Sequence, residues 1–157
     1  QSRETYDLIM LDAYFSESIP FHLTTREFLE EVKARLAPDG VVAANVIGAI
    51  GGSQSRLFRS MLRTYQEVFP QVYVFSVGPS RGVNDPFVRN IILIATLSEE
   101  RLTRRDLELR AAELGRRGEL GIDVTPYLSN LIEGEIPVAD VPVLTDDYAP
   151  VDSLQHF

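Results

Sequence analysis

Four apolar runs dominate the hydrophobic pattern of the chain, at residues 6–11, 41–47, 71–77 and 88–97. The first two runs lack polar alternation, which is typical of strands buried on both faces of a parallel sheet. The last two are joined by a Gly- and Pro-rich segment with no helical pattern. We therefore expect four strands, the last of them antiparallel to its neighbours.

Apolar residues at helical spacing predict a helix after the first run, from about residue 24 to 37. Thr24 and Glu27 match a capping box at its start. The turn sequence Pro38-Asp39-Gly40 is expected to end it, because these residues favour turns.

Three further segments follow the same reasoning. A second helix is expected from Ser53 or Ser55 to Pro70, after a flexible loop at 48–52. A third begins at Thr103, with Asp106 completing a capping box. Residues 127–132 are expected to form a short helix, and residues 133–157 an extended tail.

The order of strand, helix, strand, helix and a final strand pair predicts an α/β fold with a doubly wound sheet. We expect a single domain over residues 1–157, with the sheet and two helices in 1–97 and a helix and tail in 98–157. A content of 45% hydrophobic residues in 157 is enough to build a core.

Composition removes several classes of function. The formal net charge of −8 at pH 7 disfavours nucleic acid and anionic membranes as partners. The absence of Cys excludes disulfides and thiol nucleophiles. The two histidines, His22 and His156, have no partner at metal-ligand spacing, so no metal site is expected.

Asp12 is the strongest candidate for chemistry, because it directly follows the first apolar run. Ligands of open α/β sheets bind at the carboxyl ends of the strands, which is where Asp12 would stand. The alternative is that Asp12 only accepts hydrogen bonds from the loop that follows.

Two segments carry a resemblance to a known family. The series YDLIMLDAYFSESIPFHLTTREFLEEVKARLAPDGVVAANV and the tail element LTDDYAPVDSL resemble the spermidine synthase-like (polyamine aminopropyltransferase) family. That family has the Rossmann-like fold of class I S-adenosylmethionine-dependent methyltransferases. The resemblance implies that this chain is the C-terminal part of such a catalytic domain, truncated before the cofactor-binding strands. The polar start at residues 1–5, with no strand before Tyr6, is consistent with this expectation.

The resemblance also implies roles for particular residues. Asp12 matches the catalytic carboxylate that binds the acceptor amine and takes its proton. Phe15 stands where authentic spermidine synthases have a second Asp, which leaves the polyamine specificity open. The candidate substrate-binding residues come from the loop after Asp12 and from the tail: Tyr14, Ser16, Glu17, Asp146, Asp147 and Tyr148. Ordinary alternatives are a packed aromatic for Tyr14, a solvated carboxylate for Glu17 and a turn cap for the tail cluster.

The nucleotide-binding elements of the family would precede Tyr6, and we expect no cofactor site within this chain. Gly48, Gly51 and Gly52 lack the spacing of a phosphate loop. In the full-length protein the co-substrate would be decarboxylated S-adenosylmethionine or S-adenosylmethionine, and the chain alone is expected to be inactive.

The resemblance leads us to expect a cytoplasmic transferase of polyamine biosynthesis that uses a polyamine or another amine. A bare sheet edge predicts association with another copy or a tail segment, and hence a homo-oligomer. Two alternatives remain: a methyltransferase acting on another small acceptor, and a non-catalytic assembly domain that keeps the fold.

Overall fold

The structure, a computed structural model, describes residues 4–12 and 20–155. Within these residues the strands are β1 (Tyr6–Leu11), β2 (Leu36–Gly48), β3 (Gln71–Ser76) and β4 (Arg89–Thr96). The helices are α1 (Arg26–Lys33), α2 (Arg56–Val68), α3 (Arg104–Arg116), α4 (Thr125–Leu128) and α5 (Val151–Gln155). Short 3-10 turns occupy Phe21–Leu23, Ser53–Ser55 and Gly82–Asn84.

The strands form one mixed sheet in the order β1-β2-β4-β3. β1 is parallel to β2, whereas β4 is antiparallel to both β2 and β3. The prediction of an α/β fold whose last strand is antiparallel is therefore confirmed. Since β1, β2 and β3 all run in the same direction, their carboxyl ends lie at the same end of the sheet. We call this end the carboxyl-end rim.

The start of β2 differs from the prediction. Helix α1 ends at Lys33 rather than near residue 37, and β2 already begins at Leu36. Tyr6 pairs with Leu36 and Leu8 with Val41, so residues 37–40 bulge opposite a single residue of β1. Pro38 is tolerated there because a bulge does not require its missing N–H. Gly40 is required there, since a Cβ atom would lie 2.8 Å from the Tyr6 carbonyl oxygen.

Of the two predicted capping boxes, the one at α3 is confirmed and the one at α1 is wrong in its N-cap residue. Thr103 and Asp106 form the expected capping box at α3. At α1 the N-cap is Thr25 and not Thr24, because the Thr25 hydroxyl accepts from the Phe28 N–H at 3.3 Å. The Thr24 hydroxyl instead donates to the Phe21 carbonyl at 2.6 Å and closes the preceding 3-10 turn.

The hydrophobic core lies between the sheet and the helices α1 and α2. Leu29, Phe58, Val42, Val46 and Leu93 in this core are wholly or almost wholly buried. Because side chains alternate along a strand, Ala43 and Asn45 of β2 point to the other face of the sheet. We call this second side of the sheet the open face.

The open face is covered only in part by described residues. Over β3, the Tyr73 hydroxyl accepts from the Leu102 N–H at 2.8 Å, and the Arg101 guanidinium lies over the Tyr73 ring. Over β1, in contrast, Leu8 and Met10 are 52% and 70% exposed. The open face is thus closed on the side of β3 and uncovered on the side of β1.

The last third of the chain departs from its predicted outline. The short helix is α4 at Thr125–Leu128, because Pro126 suits a first helical turn. Residues 130–132 do not continue this helix. They run beside β3, with the Ile132 N–H donating to the Val74 carbonyl at 2.8 Å. The tail is not wholly extended, since Val151–Gln155 is helical and Leu154 is buried.

None of the helices in the described part of the chain combines the length and the apolar content that crossing a bilayer requires.

Candidate functional site

Asp12 and Asn45 meet at the carboxyl-end rim, where β1 ends beside β2. Leu11 pairs with Ala44, which sets the following residue, Asp12, beside Asn45. The Asn45 Nδ2 donates to the Asp12 Oδ1 at 3.0 Å. Asp12 is exposed, so the amide orients the carboxylate and leaves it accessible to a ligand.

Asn45 is a site residue that sequence reasoning missed. It is an amide within an otherwise apolar strand, and this is the signal that was available. Its Oδ1 is buried and accepts no hydrogen bond from the described residues. An unsatisfied buried amide oxygen is unusual in a strand interior, and this makes Asn45 a candidate site residue beside Asp12.

The tail motif is attached to the start of α1. The Leu144 carbonyl accepts from the Arg26 N–H at 2.8 Å, and the Asp146 N–H donates to the Glu27 carboxylate at 3.0 Å. The first bond satisfies a backbone N–H that the start of a helix would otherwise leave unpaired, and the second joins the tail backbone to a side chain of α1. Helix α1 runs back along the sheet after β1, so its start lies at the end of the sheet where β1 finishes.

Glu27 is well suited to hold the tail. Its pKa lies below the ordinary value, chiefly because its own backbone N–H donates to the carboxylate. The N–H of Asp146 and the Arg26 side chain lower the pKa further, while burial opposes them. Glu27 therefore stays charged at neutral pH and keeps its hydrogen bond to the tail.

The tail motif itself is a tight turn, as predicted. The Thr145 N–H donates to the Tyr148 carbonyl, and the Tyr148 N–H donates to both the carbonyl and the hydroxyl of Thr145. Asp146, Asp147 and Tyr148 are exposed. Asp146 is joined to Glu27 and Asp12 to Asn45, and no hydrogen bond between described residues links one pair to the other. That one of the three tail residues shares a cleft with Asp12 stays a prediction.

The predicted loop residues Tyr14, Ser16 and Glu17 lie outside the described residues, as does Phe15. Their roles as substrate-binding residues stay predictions.

Asp85 organises a second part of the carboxyl-end rim and was also missed. Its side chain is completely buried, and it accepts from the N–H groups of Arg81 at 2.8 Å and Phe87 at 3.0 Å. Arg89 forms an ion pair with it at 3.0 Å. Burial raises the pKa of Asp85, but these hydrogen bonds, the Ser80 hydroxyl and the Arg89 charge outweigh it and hold the pKa below the ordinary value.

The backbone of Asp85 connects two loops of the rim. Its carbonyl accepts from the N–H groups of Ile50 at 3.1 Å and Gly51 at 2.8 Å. Ile50 is fully buried, and a Cβ atom on Gly51 would lie 2.8 Å from the Val83 carbonyl oxygen. The glycine loop at 48–52 is therefore packed against the loop between β3 and β4.

Comparisons with known proteins agree with this architecture. The chain is 30% identical over 97% of its length to the polyamine aminopropyltransferase of Vibrio vulnificus, and it spans 47% of that protein. It superposes on a probable spermidine synthase from Corynebacterium glutamicum with a TM-score of 0.62 and 22% identity, covering 95% of this chain and 50% of that one. Human methyltransferase-like protein 13, solved in complex with SAH, gives a TM-score of 0.52 and 28% identity, covering 82% of this chain and 56% of that one. No family model matches the chain.

The chain has a spermidine synthase-like fold of the class I methyltransferase type. This finding confirms the resemblance that the two sequence segments indicated. The chain spans about half the length of the curated relative and the solved spermidine synthase that it matches.

Two features of the described residues bear on what could bind to this spermidine synthase-like fold. Asp12 offers an oriented, exposed carboxylate to a cation. The glycine loop offers no cradle for a nucleoside, because Gly51 lies against the backbone of Val83 and Asn84.

The described residues contain no group of three or more metal-ligating side chains that would hold an ion.

Proposed function

We propose that this chain is the amine-binding part of a spermidine synthase-like transferase, a single domain over residues 1–157. The observation that carries the proposal is the Asp12–Asn45 pair at the carboxyl-end rim. The hydrogen bond from the Asn45 amide fixes the direction of the Asp12 carboxylate. The carboxylate therefore binds a protonated amine and is placed to take a proton from it.

The reaction we propose is aminopropyl transfer from decarboxylated S-adenosylmethionine, as the name of the Vibrio relative suggests. The acceptor ammonium gives a proton to Asp12, which frees the nitrogen lone pair. That lone pair forms the new N–C bond while the C–S bond breaks, and its electrons remain on sulfur. The residues of this chain supply the acceptor side, so the chain alone is expected to show no turnover.

The tail motif and the loop after Asp12 are proposed to complete the acceptor site. Glu17 and the exposed carboxylates of Asp146 and Asp147 would add negative charge, and Tyr14, Ser16 and Tyr148 would add surface and hydrogen bonds. Polyamine biosynthesis in the cytoplasm is the setting that this function implies.

The proposal is tested on the 157-residue chain by NMR. Titration with hexylamine, a primary amine, is expected to shift the side-chain amide signal of Asn45 saturably. Asp12→Asn removes the charge with little change in size. It is expected to weaken binding about tenfold or more, since hydrogen bonds to charged groups contribute about 1.5–3 kcal/mol.

A matched control is Asp39→Asn, which neutralises an exposed carboxylate in the bulge at the opposite end of the sheet. It is expected to leave the titration unchanged. If Asp12→Asn binds hexylamine as well as the unmodified chain does, Asp12 has no part in the amine site.

A second candidate is a methyltransferase acting on another small acceptor, which the likeness to human methyltransferase-like protein 13 favours. It needs the same acceptor carboxylate but a different donor. A third candidate, a non-catalytic assembly domain, predicts no saturable amine binding at Asn45, so the titration also tests it.

A further inference from the structure

A cavity of about 620 Å³ lies between the open face of the sheet and the helices α3 and α4. Neighbouring strands form its floor, because Val41 pairs with Thr96 and Ile94 pairs with Tyr73. The bulge at residues 38–40 lies at one end of this floor. The cavity therefore begins at the end of the sheet opposite the carboxyl-end rim, and it is separate from the proposed amine site.

The walls of the cavity are apolar, and their side chains are not packed tightly against each other. Apolar residues from the sheet and from both helices line it and are only partly buried: Val41, Phe75, Ile94, Leu107 and Leu128. In α3 itself, Ala111 is the one buried side chain. Core side chains are ordinarily close-packed, and an apolar cavity that is left open takes up apolar molecules. The cavity is therefore suited to a ligand with an apolar body.

Tyr73 places a hydrogen-bond donor in these apolar walls. Its side chain is only 7% exposed. Its hydroxyl oxygen accepts from the N–H of Leu102, another lining residue, at 2.8 Å, and no described residue accepts the hydroxyl proton. A buried hydroxyl group can donate as well as accept, and buried polar groups are ordinarily paired. The proton of Tyr73 therefore favours a ligand that carries a hydrogen-bond acceptor.

The charges around the cavity disfavour ions. The charged residues that line it, Asp39 and Glu100, are exposed carboxylates, which repel an anion. The nearby guanidinium of Arg101 already donates to the Val72 carbonyl and to the Gln71 side chain. Because both carboxylates lie in water, a cation within the walls would lose its own water without a buried partner. The cavity is therefore suited to an uncharged ligand.

We propose that this cavity binds a small uncharged molecule with an apolar body and one hydrogen-bond acceptor, such as a ketone. The apolar body lies between the sheet and α3, where its burial is favourable. The acceptor takes the hydrogen bond that the Tyr73 hydroxyl donates. Since this site is separate from the Asp12–Asn45 pair, the inference does not depend on the proposed function.

The test compares three ligands of nearly the same shape, acetophenone, α-methylstyrene and benzoate, by NMR titration of the 157-residue chain at pH 7. Acetophenone carries the acceptor, α-methylstyrene has a methylene group in its place, and benzoate is an anion. Acetophenone is expected to shift the backbone amide signals of Leu102 and Leu107 saturably. It should bind about fivefold more tightly than α-methylstyrene, because a hydrogen bond contributes about 1 kcal/mol net, and at least about tenfold more tightly than benzoate. No saturable binding of acetophenone, or equal binding of acetophenone and either other ligand, overturns the inference.

Two substitutions test the walls and the hydroxyl group separately. Leu107→Trp fills the cavity from α3 and is expected to abolish acetophenone binding. Leu109→Trp is the matched control, at a side chain of the same helix that is 53% exposed, and it should leave binding unchanged. Tyr73→Phe removes the hydroxyl group and is expected to weaken acetophenone binding about fivefold while α-methylstyrene binds as before. Unchanged affinity in Leu107→Trp, or an equal loss of both ligands in Tyr73→Phe, overturns the inference.

Discussion

The two edge strands of the sheet differ in whether another segment pairs with them. At β3, residues 130–132 run alongside the strand: Leu131 bridges Phe75, and the Ser76 N–H donates to the Asn130 carbonyl at 3.0 Å. At β1, no described segment forms such a cover, and Tyr6, Leu8 and Met10 are 47%, 52% and 70% exposed.

The difference shows how one sheet can hold both a stable half and an associating half. A paired edge has its backbone polar groups satisfied, whereas an unpaired apolar edge is a template for another strand. The β3 side also carries the buried Asp85–Arg89 pair, within the connection from β3 to β4. We therefore expect substitutions to unfold the protein on the β3 side and to alter its association on the β1 side.

The largest effect is expected at Asp85. Asp85→Ala leaves Arg89, whose side chain is only 17% exposed, without its partner. Loss of one member of a buried pair costs about 3–5 kcal/mol in the free energy of unfolding, measured by urea denaturation. Asp39→Ala, at an exposed carboxylate, should change it by no more than about 0.5 kcal/mol. Equal effects would remove Asp85 from the stabilisation of the β3 side.

Asp85 also predicts a pH dependence. The pKa of Asp85 is lower in the folded state than in the unfolded chain, so ionised Asp85 adds to the free energy of unfolding. This contribution is fully present at pH values above the unfolded pKa of about 3.9. The contribution is lost as the pH falls through the folded pKa. Urea denaturation of the unmodified chain between pH 7 and pH 3 should show this loss, and Asp85→Asn should lack that part of it.

The next largest effect is expected when an apolar side chain is truncated to Ala at the β3 edge, in comparison with the same kind of truncation at the β1 edge. Ile132→Ala, in the buried cover of β3, is expected to cost about 2–4 kcal/mol because it leaves a cavity. Leu8→Ala, at the uncovered edge, should cost no more than about 0.5 kcal/mol. Urea denaturation of the two variants measures the difference, and a similar loss in both would contradict the contrast between the edges.

The smallest effect on stability is expected from Leu8→Lys, which should instead abolish self-association through β1. A lysine on an edge strand disfavours pairing with another strand. Sedimentation velocity over a range of concentrations should show association of the unmodified chain and a monomer for this variant. Tyr127→Lys, at another exposed apolar side chain, serves as the control and should still associate. A monomeric unmodified chain would exclude β1 as an association surface.

The parts of the fold that could be predicted are those with a strong local pattern. The apolar run before Asp12 and the Thr103–Asp106 capping box each specify their structure within a few residues. The start of β2 could not be predicted, because Pro38-Asp39-Gly40 has turn chemistry and only its pairing with β1 turns it into a bulge.

The same limit applies to the site. Asp12 could be found because the end of a buried strand is a recognisable position. Asn45 becomes a partner of Asp12 only through the register of β1 and β2. Asp85 is surrounded in the sequence by polar and turn-forming residues, and nothing local shows that its side chain is completely buried. Both depend on contacts between segments far apart in the chain.

The attachment of the tail to α1 affects the order in which contacts form while the protein is being synthesised. Asp146 lies 119 residues after its partner Glu27, and Leu144 lies 118 residues after Arg26. While a ribosome is still synthesising the chain, α1 therefore waits with its first turn incomplete, because domains fold as units and long-range contacts form late. A chain released before residue 144 would lack both contacts and would leave the start of α1, the helix that borders the proposed site, incomplete.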